Sequence, residues 1–356
     1  MKILITGVGG PTPRSFAISL KKYSQYADYE IVGTDINRLS VGLYQKELFD
    51  HNYVIPPARE PDQYWNAIEN IIHKHSIDYA IILPELEVLE WSRRAETGNL
   101  PCKTLLPDLR LAQLLFDKSQ MTNVLSPLGI VPKSIAFDRS LNNFDSIFEE
   151  LGSPFWVRST SGTSGLGSLK IENPESLRNW IQINPGVSHF LASEFLPGRN
   201  LACKMLYWEG NLVRTACAER VHYIMAKVAP SGITGNTSFG RLLNEPKLIE
   251  VAKSAMERMF KYTESKRHGF FTVDFKEGHD GTPFITEVNI RHVAFTQCFA
   301  AAGANFPEST MRLLDGDNTM NKDYQMHQFE EGLIFLRDVD ILPIIMKESD
   351  LLNPIT

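Results

Sequence analysis

Two neighbouring segments late in the chain limit what it can fold into more than any other stretch. Phe270-Phe271-Thr272-Val273-Asp274-Phe275 and Phe284-Ile285-Thr286-Glu287-Val288-Asn289-Ile290-Arg291 are rich in β-branched and aromatic residues, the composition of strands. Gly278, Asp280 and Gly281 lie between them and supply a turn, so the pair reads as a hairpin. Side chains alternate across a strand, which puts Glu287, Asn289 and Arg291 on one face. Asp274 is the acidic residue of the first segment and can lie beside Glu287. Two carboxylates, an amide oxygen and an arginine then share one surface. Hard cations such as Mg²⁺ take one or two carboxylates and fill their other positions with water and phosphate oxygens. Phosphoryl transfer needs such a fixed charge beside the reacting phosphate. The competing reading is a hairpin whose polar face is merely solvated, a common arrangement in antiparallel sheets.

The rest of the chain weighs against that plainer reading, starting with its size. A chain of 356 residues with 43% hydrophobic residues has room for two or three domains, or for one with large insertions. Its net charge of −6, its pI near 5.9 and its lack of a long basic run argue against nucleic acid as a partner. Cys102, Cys203, Cys217 and Cys298 form no C-x-x-C pair, so neither a disulfide framework nor a cysteine metal site is expected, and a reducing cytoplasm fits. The chain enters a strand at Lys2 with no signal-peptide pattern, and no apolar run approaches the ~20 residues that span a bilayer. The expectation is a cytoplasmic protein with no membrane partner.

The N-terminal part opens as a βαβ unit. Lys2–Thr6 is a buried-type strand, Arg14–Tyr23 a helix, and Glu30–Asp35 a strand ending in an acid. The intervening Gly7-Val8-Gly9-Gly10-Pro11 is G-x-G-G-P and not G-x-G-x-x-G, and Pro11 and Pro13 lack amide donors where a pyrophosphate needs them. Dinucleotide binding is disfavoured on that ground. Tyr64–His75 reads as a helix, Ile77–Pro84 as a buried strand and Thr104–Pro107 as another. Roughly the first 105 residues then make a small doubly wound α/β domain. Glu85 and Glu87 follow a strand's carboxyl end, where such sheets bind ligands, although a solvated loop is the reading given slightly more weight.

Asp108–Leu128 has helical period throughout and contains Asp117-Lys118, and Phe144–Leu151 is a short helix. The strand Phe155–Arg158 runs into residues 159–167, a stretch made almost wholly of Gly, Ser and Thr. Such a loop exposes backbone amides, lets phosphate approach closely and can move as a lid. Arg158, at the strand end, adds forked donors suited to phosphate. Ser168–Ile171 returns as a strand, Pro174–Ile183 is a helix, and Phe190–Phe195 is a strand ahead of Leu196-Pro197-Gly198. Leu201–Tyr207 and Asn211–Cys217 make an antiparallel pair. The stretch from Ala218 to Gly240 reads as a loop carrying Arg220, His222 and Lys227. Pro246–Thr263 is an amphipathic helix, Val293–Ala302 and Pro307–Leu314 read as helices, and the tail from Gly332 adds one or two strands.

Taken in this order, the pieces resemble the ATP-grasp superfamily, and within it the carboxylate–amine ligases near the large chain of carbamoyl-phosphate synthetase. The resemblance covers roughly residues 1–315. It implies an α/β (α+β) fold, with a doubly wound pre-ATP-grasp domain over 1–107 and a two-lobed ATP-grasp fold over 108–315. The nucleotide-covering lobe would span about 132–195, and 316–356 would be a C-terminal extension. Lys118 is similar to the basic residue that opens the ATP site. Arg158 with Ser159, Thr160, Gly162, Ser164 and Gly165 resembles the phosphate-covering loop, and Glu194-Phe195-Leu196 resembles the adenine hinge. Asp274, Glu287 and Asn289 fall at the family's magnesium positions, and Arg291 at its arginine beside the acyl phosphate. Three positions depart from the pattern. Asn200 stands where an acid often holds the ribose, Asp274 stands where many relatives have Glu or Gln, and Ile290 replaces a proline.

The resemblance implies an ADP-forming ligase using ATP and Mg²⁺, with Mn²⁺ as a substitute. It would join a small-molecule carboxylate to an amine through an acyl phosphate, with Lys118, Arg158 and Arg291 as catalytic residues. Arg220 and Lys227 are candidates to grip a carboxylate substrate, and Glu85 is a further substrate candidate. Dimers are common in the family, so a homodimer is the assembly it suggests. Two other classes stay open, a non-catalytic ATP-binding or regulatory protein with the same shell, and a nicotinamide-dependent oxidoreductase built on the first domain. Residues alone do not name the carboxylate or the amine.

Overall fold

The structure is a computed structural model that describes residues 1–141, 143–161, 167–338, 346 and 348–355. Three sheets organise it. The first is parallel, with strands in the order His51–Val54, Glu30–Asp35, Lys2–Thr6, Tyr79–Ile81 and Lys103–Thr104. These strands are apolar on both sides because helices cover both faces. Ile3 and Ile5 pack with Phe16, Leu20 and Phe49 on one face, and Leu4 and Val32 pack with Tyr64, Ile68 and Trp91 on the other. The order reverses beside Lys2–Thr6, so a crevice opens between the carboxyl ends of that strand and of Tyr79–Ile81. Gly7 lies there with φ +70°, and a Cβ on it would come within 2.5 Å of Pro84 Cγ. Only glycine lets the two loops approach so closely.

The second sheet is mostly antiparallel and runs Pro283–Asn289, Gly269–Glu277, Asn200–Trp208, Asn211–Tyr223, Thr237–Leu243 and Ile334–Leu336, with Gln325–Met326 pairing in parallel beside Asn211–Tyr223. Helix Pro246–Thr263 covers one face through Leu248, Ala252, Met256 and Met259, and Phe295, Phe299 and Phe306 cover the other. The third sheet has four strands, Ser134–Asp138, His189–Glu194, Phe155–Ser159 and Leu169–Ile171. Helices Asp145–Leu151 and Pro174–Ile183 close a separate small core around Phe155, Phe190 and Trp180. Among the described residues no helix is long and apolar enough to cross a membrane.

Several local expectations are corrected. The helical stretch expected over 108–128 is two helices, Leu109–Phe116 and Lys118–Leu125, followed by a short 3-10 turn. Asp117 breaks it because its side chain accepts from the Ser119 and Gln120 amides and caps the second helix. Glu85 and Glu87 lie in the first turn of helix Glu85–Ala95 and not in a loop. The strand expected to end at Cys217 continues to Tyr223, so Arg220 is a strand residue. The helix expected over 293–302 is confined to Thr296–Ala301. The hairpin pairs Asp274 with Glu287 and carries an irregularity between Asp274 and Phe275.

Candidate active site

All three sheets meet at a cleft of about 1290 Å³. The first sheet contributes Gly7, Gly10 and the start of helix Glu85–Ala95. The four-stranded sheet contributes Trp156, Arg158 and Lys170, and the large sheet contributes Asp274, Glu287, Asn289 and Arg291. Residues more than 150 positions apart thus share one wall, although within the hairpin the strand period alone aligns the polar side chains.

Glu287 is the acid of the cleft that faces Lys118. Its Oε1 lies 2.9 Å from Lys118 Nζ. Lys118 begins the helix that Asp117 caps, and its amide donates to the Thr160 carbonyl at 2.8 Å, which fastens that helix to the four-stranded sheet. Arg158 Nη2 donates to the Thr286 carbonyl at 2.6 Å, so its guanidinium also reaches the hairpin. Burial would raise the Glu287 carboxyl, but Lys118, Arg158 and Arg291 outweigh it and hold Glu287 below the usual range. Asp274 behaves oppositely. Burial pushes it up to about 6, with Glu287 adding to the rise and Arg220, Lys204 and Arg291 working against it. Asn289 Nδ2 donates to Asp274 Oδ2 at 3.1 Å, and Arg220 Nη1 lies 3.4 Å from the same oxygen. The other oxygen, Asp274 Oδ1, is buried and has no partner among the described residues.

That unpartnered oxygen bears on the expected cation. A buried acceptor without a donor is costly unless something binds it. With Glu287 directly across the hairpin and the Asn289 amide alongside, the donor set is carboxylate and amide oxygen, the chemistry a hard divalent ion takes. The residues fit such an ion.

Arg291 Nη2 donates to Glu85 Oε1 at 2.9 Å and Nη1 to the His292 carbonyl at 3.0 Å, which holds the arginine between the large sheet and the first sheet. Beside it His292 is buried and stacks on Phe270 at 3.6 Å between centroids, with neither ring nitrogen bonded. Burial pushes it well below the usual histidine range, with Lys204 and Arg291 adding to the fall.

At the far end of the cleft Glu194 Oε1 accepts from the Lys133 amide at 3.2 Å, and the Glu194 amide donates to the Lys133 carbonyl. Phe195, Leu196 and Asn200 line the cleft beside it, as does Ser159 at the start of the Gly/Ser/Thr-rich stretch. Thr160 is buried, and its backbone is used by Lys118 and His189. Gly162, Ser164 and Gly165 lie outside the described residues. Lys170 was missed by sequence reading. It lines the cleft with its ammonium 5.2 Å from the Phe195 ring centre, and its place in the strand that returns from the Gly/Ser/Thr-rich stretch was the available signal.

The two carboxylate-gripping candidates fare differently. Arg220 lines the cleft, but its guanidinium is already engaged. Nε donates to Thr237 Oγ1 at 2.9 Å, Nη2 to the Gly235 carbonyl at 2.6 Å, and Nη1 faces Asp274. It ties the wall at 229–236 to the hairpin. Lys227 sits exposed in a 3-10 turn and is not among the lining residues. Asp35, the acid a dinucleotide ribose would use, accepts from the Gly9 and Asn37 amides and the Ser40 hydroxyl at 2.7–2.9 Å. The first domain therefore uses its own acid to build its glycine turn.

No protein-family profile matches the chain. Over 113 residues it is 28% identical to a formate-dependent phosphoribosylglycinamide formyltransferase from Prochlorococcus marinus, a match covering 32% of this chain. The matched stretch spans only 28% of the length of that curated relative. Solved structures are similar over far more of the chain. An N5-carboxyaminoimidazole synthetase from Staphylococcus aureus complexed with ADP superposes with a TM-score of 0.67 at 17% identity, covering 94% of this chain and 79% of that one. A D-alanine–D-alanine ligase from Bacillus anthracis gives 0.58 at 16% identity, covering 89% of this chain and all of that one. The biotin carboxylase domain of a Hydrogenobacter thermophilus 2-oxoglutarate carboxylase, a dimer with MgADP and bicarbonate, gives 0.63 at 17% identity over 90% of this chain and 71% of that one. At such identities the likeness is one of fold, and the fold is the one these three proteins share.

Proposed function

We propose that this ATP-grasp chain is an ADP-forming ligase that activates a small-molecule carboxylate as an acyl phosphate and joins it to an amine. The observation that carries the reading is the Asp274–Glu287–Asn289 face set within reach of Lys118, Arg158 and Arg291. ATP is assigned the long arm of the cleft, with its base against Glu194, Phe195 and Leu196, the ribose near Asn200, and its phosphates toward Ser159, Arg158 and Lys118. Asp274, Glu287 and Asn289 would hold Mg²⁺, which supplies a fixed positive charge to phosphate oxygens, and Mn²⁺ would serve in its place. The solved relatives with ADP or MgADP support this assignment of ligands.

In this reading Lys118 and Arg158 neutralise phosphate charge as a substrate carboxylate oxygen attacks the γ phosphorus and ADP leaves. The amine nitrogen then attacks the acyl carbon, and inorganic phosphate departs. Arg291 stabilises the oxygen charge that develops at that carbon, and Glu85 keeps Arg291 aimed into the cleft. The substrates enter from the Gly7–Gly10 side. A homodimer is the assembly proposed, supported by the dimer among the similar structures, and sedimentation velocity tests it.

Incubation of the protein with ATP, Mg²⁺ and pools of carboxylates and amines tests the reaction. Release of ADP and phosphate that requires both pools is expected. AMP with pyrophosphate would mean adenylation and overturn the acyl-phosphate route. Tight MgATP binding with no turnover in any pool would favour a binding protein.

A further inference from the structure

The ends of three elements converge at the opposite edge of the first sheet, away from the cleft. Glu30 opens the second strand, His51 opens its parallel neighbour, and His75 is the last residue of helix Pro61–His75. One carboxylate oxygen and one ring nitrogen from each histidine lie within 4.8 Å of one another. His51 Nε2 is 3.6 Å from Glu30 Oε1, and the two imidazoles face each other with centroids 4.4 Å apart and planes tilted by 35°. Nothing in the spacing of positions 30, 51 and 75 announces this group, and only the fold assembles it.

We propose that Glu30, His51 and His75 form a second cation site, for a borderline divalent ion of the zinc type. Two imidazoles and one carboxylate are a zinc donor set, and a catalogue of hard-ion ligands does not include imidazole. A tetrahedral zinc ion with bonds of about 2.0–2.1 Å needs its ligand atoms roughly 3.3 Å apart. The Glu30–His51 separation is near that value, and His51 has 47% of its side chain exposed.

Outer partners are also in place. The Tyr53 hydroxyl lies 2.6 Å from His75 Nε2 and orients that ring. Lys2 Nζ lies 3.9 Å from Glu30 Oε2, the oxygen that is not the one nearest His51, and donates to the His75 carbonyl at 3.1 Å. Metal ligands are commonly held by such second partners, which fix ring and carboxylate orientation. All three ligands sit at the ends of regular elements, so the site would pin the end of helix Pro61–His75 to the sheet edge. The cleft lies at the other ends of these strands and does not share the ion.

Calorimetric titration of chelator-treated protein with Zn²⁺ tests the site, with wild type compared with His51→Ala and His75→Ala. The wild type should bind one equivalent more than either variant, with circular dichroism unchanged and a melting temperature that Zn²⁺ raises only in the wild type. Tyr53→Phe should keep the equivalent but bind it about 10–100-fold more weakly. Mg²⁺ should bind wild type and His51→Ala alike. Equal zinc stoichiometry and affinity in wild type and both histidine variants would overturn the proposal. Zinc binding reads this site whether or not the chain is a ligase.

Discussion

Glu87 and Glu287 are both carboxylates withdrawn from water, and their proton affinities move in opposite directions. Glu87 is 5% exposed in helix Glu85–Ala95. It accepts from the Tyr64 hydroxyl at 2.7 Å, and Trp91 Nε1 donates to that hydroxyl in turn. Burial pushes Glu87 up to about 7 because hydrogen bonds from Tyr64 and Thr6 are its only relief, and Asp35 adds to the rise. Glu287 faces Lys118, Arg158 and Arg291, and is held below its ordinary value. Burial raises the cost of charge in both places, and cations within a few ångströms decide the outcome. One region holds its proton more tightly than usual and serves as a polar knot in a core of aromatic rings. The other keeps its charge, which a cation-binding site requires.

The largest test of this contrast is loss of the charged region. Glu287→Gln or Asp274→Asn should lower ADP release on the order of 10²–10³-fold or more with circular dichroism unchanged, since each removes charge stabilisation at the reacting phosphates. Glu87→Gln, measured in the same assay, should stay within a few-fold of wild type. An equal loss in Glu87→Gln would break the distinction between the two regions. A smaller effect is expected from Lys118→Met, which deprives Glu287 of its nearest cation. MgADP affinity should fall roughly 10–100-fold, the worth of about 1.5–3 kcal/mol for a hydrogen bond to a charged group, as read by calorimetry.

A further test sharpens the comparison through pH. The folded carboxyl of Glu87 is raised from 4.5 to about 7, so between those values the folded state binds more protons than the unfolded one. Stability contributed by the protonated group is present below the lower value and is lost as pH rises through the upper. The loss is on the order of 3 kcal/mol. Urea unfolding at pH 4.5 and at pH 8 should show a larger drop for wild type than for Glu87→Gln, whose neutral amide has nothing to titrate. Matching drops in the two proteins would mean Glu87 is already ionised in the fold.

Much of the fold was legible from period and composition. Helices Pro174–Ile183 and Pro246–Thr263 have the bounds their residues announce, because a capping Asn173, a Pro at the first turn and an amphipathic stripe are all local signals. The break at Asp117 was hidden because apolar period runs through it, and capping by its side chain depends on where the second helix packs. Arg220 was expected in a loop and lies in a strand. Its engagement with Gly235, Thr237 and Asp274 exists only once the strand extends to Tyr223.

What the chain determined by itself is the order of its elements and the shared face of Glu287, Asn289 and Arg291. Both follow from covalent geometry, because strand side chains alternate whatever the strand packs against. Tertiary structure alone decided which cations reach Glu287, which oxygen of Asp274 is left without a donor, and that Glu30, His51 and His75 meet. Electrostatic interaction depends on distance and on the dielectric around the charges. Both quantities are set by packing between segments remote in sequence, so no local pattern could carry them.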